Sequence, residues 1–194
     1  MSSHDKALTI VTAAAADPVS LAELKEHMRI DASNSDDDNL LTALITVATK
    51  YAQSFTRRQL VTATYDMFLD RFFAQIIIPL PPTQGITTVK YTDDQGAQQT
   101  LADTVYQLDK ESEPARLRQA FNENWPTTRM EMNAVEIRFI CGYGAASAVP
   151  EYFKTAIKML AAHNFENGEA TIVGLSIKKV PLGVDALLWQ DRIF

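Results

Sequence analysis

His163 and Glu166 stand three residues apart in "HNFE" and would share one face of a helix, the nearest approach in this chain to a metal-ligand or acid–base pair. A third ligand is not evident, and the other histidines, His4 and His27, lie far away along the chain. The simpler reading is a hydrogen-bonding imidazole near a helix C-terminus, where the helix dipole favours positive charge. Cys141 precedes "GYG" at a strand end, and a nucleophile there would need a base that nothing nearby supplies. A buried small residue is the commoner role of a free cysteine. The glycines of "CGYGAAS" follow neither dinucleotide nor phosphate-loop spacing and fit a tight turn from strand to helix. Asp36, Asp37 and Asp38 lack the glycine and distal glutamate of a calcium loop, and they sit where a helix dipole stabilises carboxylates. Arg57 and Arg58 are too few for a nucleic-acid footprint and read as a solvated helix end. These groups do not converge on a catalytic set, so the expectation is a non-enzyme with no cofactor and no metal.

The elements that must hold these residues begin with two helices. Ser20 and Glu23 form a capping box, and Leu21, Leu24 and Met28 then share one face of a helix that ends near Ile30. After the acidic loop, Leu41, Leu44, Ile45, Ala48, Tyr51, Ala52 and Phe55 recur at three- and four-residue steps and predict a long amphipathic helix. At Leu60 the period changes to alternation: Ala63, Tyr65, Met67 and Leu69 face one side of a strand, Thr62, Thr64, Asp66 and Phe68 the other. Further strands are expected over 75–79, 86–92, 97–101, 105–108, 115–118 and 134–140, separated by turn signals such as "DDQG" and "NENWP". Pro150 opens a third helix carrying Phe153, Ile157, Leu160, Ala161 and Phe165, which exits at Asn167-Gly168.

The fold class this predicts is α+β: a small helical bundle of two N-terminal helices and one C-terminal helix, with an inserted and mainly antiparallel β region. Residues 1–17 are expected to be a flexible arm, although "ALTIV" could add a strand to a neighbour. Residues 18–60 with 149–170 form the bundle core, 61–148 the insertion, and 171–194 a C-terminal docking segment whose apolar and aromatic residues need a surface.

Composition bounds what such a fold can do. With 46% hydrophobic and 22% charged residues, the chain of 194 has the balance of an ordinary globular protein. Its net charge of −6 argues against gripping nucleic acid, because that requires clustered Lys and Arg. The apolar run "IIIPLPP" is far shorter than the roughly 20 residues that span a bilayer, and the first ten residues lack a basic start followed by an apolar stretch. No membrane partner is expected, and the chain reads as cytosolic and unprocessed. A single cysteine excludes an intrachain disulfide.

Taken in order, "PVSLAELKEHMRID", "DDDNLLTALITVATKYAQSFTRRQLVTATYDMFLD", "IIIPLPP", "ITTVKYTDDQG", "YQLD", "CGYG", "VPEYFKTAIKMLAAHNFENGEA" and "PLGVDALLWQDR" resemble the head–tail connector (adaptor) family of long-tailed phages, prophages and gene transfer agents. The resemblance covers about residues 18–192 and departs from the family at Gly168, where relatives usually carry a basic residue. It implies a homo-oligomeric ring, commonly twelvefold, beneath the portal protein and above a tail-side completion or stopper protein. DNA would pass through the lumen during packaging and ejection without specific binding. The location implied is the virion neck, with assembly in the host cytoplasm. The resemblance also places the portal contact at Leu187, Leu188 and Trp189 as apolar anchors, with Arg192 as a polar contact. The competing reading is that Leu187 and Trp189 pack on their own helices. Two other functions stay open: a tail-completion or stopper protein of the same neck and, less favoured, a small-ligand enzyme using His163 and Glu166.

Overall fold

The computed structural model describes residues 7–167 and 182–193. Eight strands, β1 (Ala7–Thr12), β2 (Ala63–Leu69), β3 (Ile76–Ile77), β4 (Thr83–Thr92), β5 (Gln98–Thr100), β6 (Tyr106–Asp109), β7 (Arg116–Gln119) and β8 (Val135–Cys141), are joined by four helices. These are α1 (Leu21–Met28), α2 (Asp38–Thr56), α3 (Glu151–Glu166) and α4 (Leu182–Trp189). They form two compact units, one of β1 with residues 62–143, the other of residues 16–61 with the described residues from Gly144 onward. The fold is α+β with every named strand pair antiparallel, as the alternation and turn signals require.

In the helical unit, α1 starts on the expected capping box: Ser20 Oγ accepts from the Glu23 amide at 3.2 Å, and the Glu23 carboxylate accepts from the Ser20 amide at 2.7 Å. Those donors hold the Glu23 carboxyl below the usual carboxylate range. The helix stops at Arg29, whose left-handed backbone ends the run. Lys25 is buried, which a cation tolerates only with partners; its ammonium donates to the Asn34 carbonyl at 2.6 Å and meets Asp38 at 2.5 Å. The acidic run therefore starts α2 and also neutralises Lys25. Leu41, Ile45, Ala48 and Ala52 of α2 are buried, as are Phe153, Ala156, Ile157, Leu160 and Ala161 of α3, and these two stripes face one another. The exit of α3 falls at Asn167, and Gly168 lies outside the described residues.

Arg58 corrects the expectation of a solvated helix end. Arg57 is exposed and takes the left-handed cap position, whereas Arg58 is 6% exposed and donates through Nε to the Asp191 carbonyl at 2.7 Å.

The β unit is a five-stranded sheet in the order β1-β2-β8-β4-β5 covered by a three-stranded sheet in the order β3-β7-β6. Alternation builds its core: Met67, Val89, Ile137 and Phe139 are fully buried on one face of the larger sheet, and Ile76 and Leu117 join them from the smaller one. The other face carries polar rungs, with Asp66 and Arg138 paired at 2.8 Å and Glu136 within ion-pair reach of Arg138 and Lys90. Within the stretch read as an arm, Ala7–Thr12 is strand β1, hydrogen-bonded to β2 of its own chain. Cys141 is buried, donates weakly to the Ala63 carbonyl, and burial pushes its thiol up to about 12.

The insertion is closed at its base in each unit. In the helical unit Val61 bridges Gly144; in the β unit the Gln84 amide donates to Thr62 Oγ1 at 2.7 Å and to the Gly142 carbonyl at 2.8 Å. Gly142 and Gly144 both have positive φ, which explains the glycines of "CGYG" as a turn. At Gly144, with φ of +131°, an added Cβ would also press on Ala148 at 3.1 Å. Gly144→Ala should therefore cost more than about 1 kcal/mol in urea unfolding, and an unchanged midpoint would refute the role assigned to this turn. The β6–β7 hairpin supplies a second check. Arg116 and then Ser112 donate to Asp109, holding its carboxyl at about 2 instead of 3.8. Because the folded group binds its proton less tightly, its contribution is present above about pH 3.8 and is lost as the pH falls through about 2. An NMR titration should place the Asp109 midpoint near 2, and Arg116→Ala should move it back toward the ordinary range.

Candidate functional site

The C-terminal helix α4 owes its position to two apolar residues four apart. Val184 and Leu188 are fully buried on one side of it, and the helix packs against α3 and α2. Polar contacts then fix its register. Tyr51 donates to Asp185 Oδ1 at 2.9 Å, and the Ile193 amide donates to the Thr56 carbonyl at 3.1 Å. Arg58 holds the Asp191 carbonyl and stands 3.8 Å from the Asp191 carboxylate. Burial, followed by the hydrogen bond to Asp185, raises the Tyr51 phenol above its ordinary value, so it stays a donor at neutral pH.

On the outward side, Phe55, Trp189 and Arg192 make a small cluster. The Phe55 and Trp189 rings lie 6.2 Å apart, and the Arg192 guanidinium sits 5.0 Å from the Phe55 centroid and 5.3 Å from that of Trp189. Trp189 nonetheless keeps 55% of its surface exposed. Of the four residues assigned to a portal contact, Leu188 points into its own bundle, Leu187 and Arg192 are half-buried, and Trp189 is open. The part of the expected docking segment before Leu182 lies outside the described residues. Tyr51, Phe55 and Arg58 were missed as its receptors; the spacing of Tyr51 and Phe55 showed a helix face without showing what covers it.

The chemical candidates are placed apart from this cluster. His163 Nδ1 lies 3.3 Å from the Asn167 amide nitrogen, which also donates to the His163 carbonyl at 2.8 Å, while Glu166 is exposed. Among the described residues no three His, Cys, Asp or Glu side chains are grouped to hold a metal ion. Asp36 and Asp37 are exposed, and Asp38 is committed to Lys25. No helix among the described residues is long and apolar enough to cross a membrane.

At the end of α4 an aromatic ring and a cation thus stand together, Trp189 on the helix and Arg192 just after it. A family model of phage gp6-like head-tail connector proteins matches residues 18–123, more than half of the sequence, and the chain belongs to that family. It is a structural connector subunit. Solved structures share the fold. A chain of the neck of an empty gene transfer agent particle, computed with C6 symmetry, is 24% identical with a TM-score of 0.80 over 97% of this chain and 96% of that one. A chain of the virion of a native gene transfer agent is 23% identical at a TM-score of 0.79, covering 96% and 95%. A third, from the native neck computed with C12 symmetry, is 23% identical at 0.75, covering 97% and 96%. No curated protein matches.

Loss of the polar fixings should loosen α4 without unfolding the bundle. Tyr51→Phe is expected to cost about 1 kcal/mol and to raise hydrogen exchange in residues 182–193, and unchanged protection there would show that Val184 and Leu188 hold the helix alone.

Proposed function

We propose that this connector subunit assembles as a homo-oligomeric ring in the neck of a phage-like particle, beneath the portal protein and above a tail-side completion or stopper protein. DNA passes through the lumen during packaging and ejection, and the ring is built in the host cytoplasm. Family membership and the sharing of its fold with chains from necks of cyclic symmetry support this reading. The net charge of −6 suits a channel wall that does not retain DNA by counterion release.

The observation that carries the portal assignment is Trp189, which is 55% exposed yet steadied by Phe55 and Arg192. A large ring with little freedom left to lose is the kind of residue that dominates an interface. Leu187 and Arg192 complete the contact from the same end of the chain, and Leu188 serves it from beneath, by holding the helix in place.

Light scattering of the purified subunit with its portal protein tests this. Trp189→Ala combined with Leu187→Ala leaves Val184 and Leu188 in the bundle and should weaken portal binding at least about tenfold. An intact subunit with no portal affinity would remove the adaptor reading in favour of a stopper. His163→Ala with Glu166→Ala should leave binding unchanged.

A further inference from the structure

Strand β1 borders the five-stranded sheet without the devices that normally keep sheet edges apart. All six of its residues are exposed, and "ALTIVT" has neither the charge nor the proline that blunts an edge. It also carries the buried face of the sheet out into solvent. Leu8 lies opposite Met67, Met67 opposite Ile137, and Ile137 opposite Val89; the next rung is Ile10, Tyr65, Phe139 and Ile86. Met67, Ile137, Val89 and Phe139 are fully buried, whereas Leu8 is 42% and Ile10 56% exposed.

The other described edges offer this one no match. β5, at the far border of the same sheet, is only Gln98–Thr100. In the three-stranded sheet, β3 is only Ile76–Ile77, and β6 carries Asp109, ion-paired to Arg116. Short or charged edges resist strand addition, so unlike edges of two copies make no good pair. A second β1 does. Its regular part, Ala7–Ile10, precedes the irregularity between Ile10 and Thr12. In an antiparallel pairing centred on Thr9, Leu8 of each copy meets Ile10 of the other on the buried face, and Thr9 meets Thr9 on the opposite face. Thr9 lies opposite Asp66, whose charge Arg138 balances, so apolar and Thr–Thr pairs form with no like charges brought together.

We propose that the free subunit forms a twofold dimer by antiparallel β1–β1 pairing, which joins five strands from each copy into one sheet. The rung Val89, Ile137, Met67 and Leu8 then runs on into Ile10, Tyr65, Phe139 and Ile86 of the second copy. Such a contact is isologous: it closes at two copies and does not propagate around a ring. It is therefore a contact of the subunit outside the ring, where it hides an edge that would otherwise recruit strands indiscriminately. A six-residue edge, roughly 20 Å long, covers well under the about 800 Å² per partner of a standard interface, so the dimer is weak and reversible. The inference does not rest on the portal or ring assignment.

Sedimentation of the purified full chain, without portal protein, should show a monomer–dimer equilibrium with a dissociation constant in the micromolar to submillimolar range. Thr9→Lys, at an exposed position, sets like charges face to face across the twofold axis. It should keep its circular dichroism spectrum and weaken the dimer at least about fivefold. Thr9→Cys, treated with a short bis-maleimide, should give a covalent dimer, and Gln99→Cys on β5 should give none, because the native Cys141 is buried. A chain that stays monomeric at concentrations approaching millimolar, or a dimer that Thr9→Lys leaves unchanged, would overturn the proposal. So would cross-linking at position 99 in place of position 9, which would move the contact to the opposite edge. Since the portal takes no part in these measurements, their failure would leave the ring reading standing.

Discussion

The chain leaves the helical unit after Val61 and re-enters it at Gly144, and the whole architecture depends on closing that excursion at its base. Loop closure is an entropic cost that grows slowly with length, so a long insertion is tolerable if its ends are pinned. Both units pin them. Val61 bridges Gly144 on one side, and Gln84 joins Thr62 to Gly142 on the other, with the Gly142 amide donating to the Pro82 carbonyl at 2.9 Å. The two positive-φ glycines let the returning strand turn sharply enough to reach those partners. With the ends fixed, the bundle can pack α2 against α3 as though nothing lay between them, and β8 can take the central position between β2 and β4.

The C-terminal segment uses the remaining surface of that bundle economically. Two buried residues, Val184 and Leu188, seat α4, and Tyr51, Thr56 and Arg58 of the second helix and its cap fix where it lies. Outward from it stand an open indole with a guanidinium 5.3 Å from its ring centre, and a half-buried leucine. One short helix thus both seats itself in its own core and leaves an aromatic ring open.

Local chemistry was legible in the sequence wherever one element decides it. The Ser20–Glu23 cap, the α2 stripe, the alternation of β2 and the turn at "CGYG" all depend on neighbours a few residues away, and each is found where expected. Pairing across long separations was not legible. Nothing in the local pattern of Arg58 could reveal a carbonyl 133 residues further on, so it read as a solvated cation. Likewise "ALTIV" showed strand propensity without a partner, and its pairing with β2 follows only once β2 has an open edge. Leu188 was separable from Leu187 and Trp189 only by knowing which side of α4 meets the bundle.

The central place of β8 has a consequence for how the protein is made. Its residues, Val135–Cys141, are among the later ones to leave the ribosome, yet they supply the strand to which both β2 and β4 bond. Until they emerge, β1 and β2 are a two-stranded ribbon and β4 and β5 another, neither of which is stable in water on its own. Synthesis of this subunit therefore passes through a stage in which β2 and β4 lack the strand that joins them, and chaperones that shield nascent strands would act in that interval.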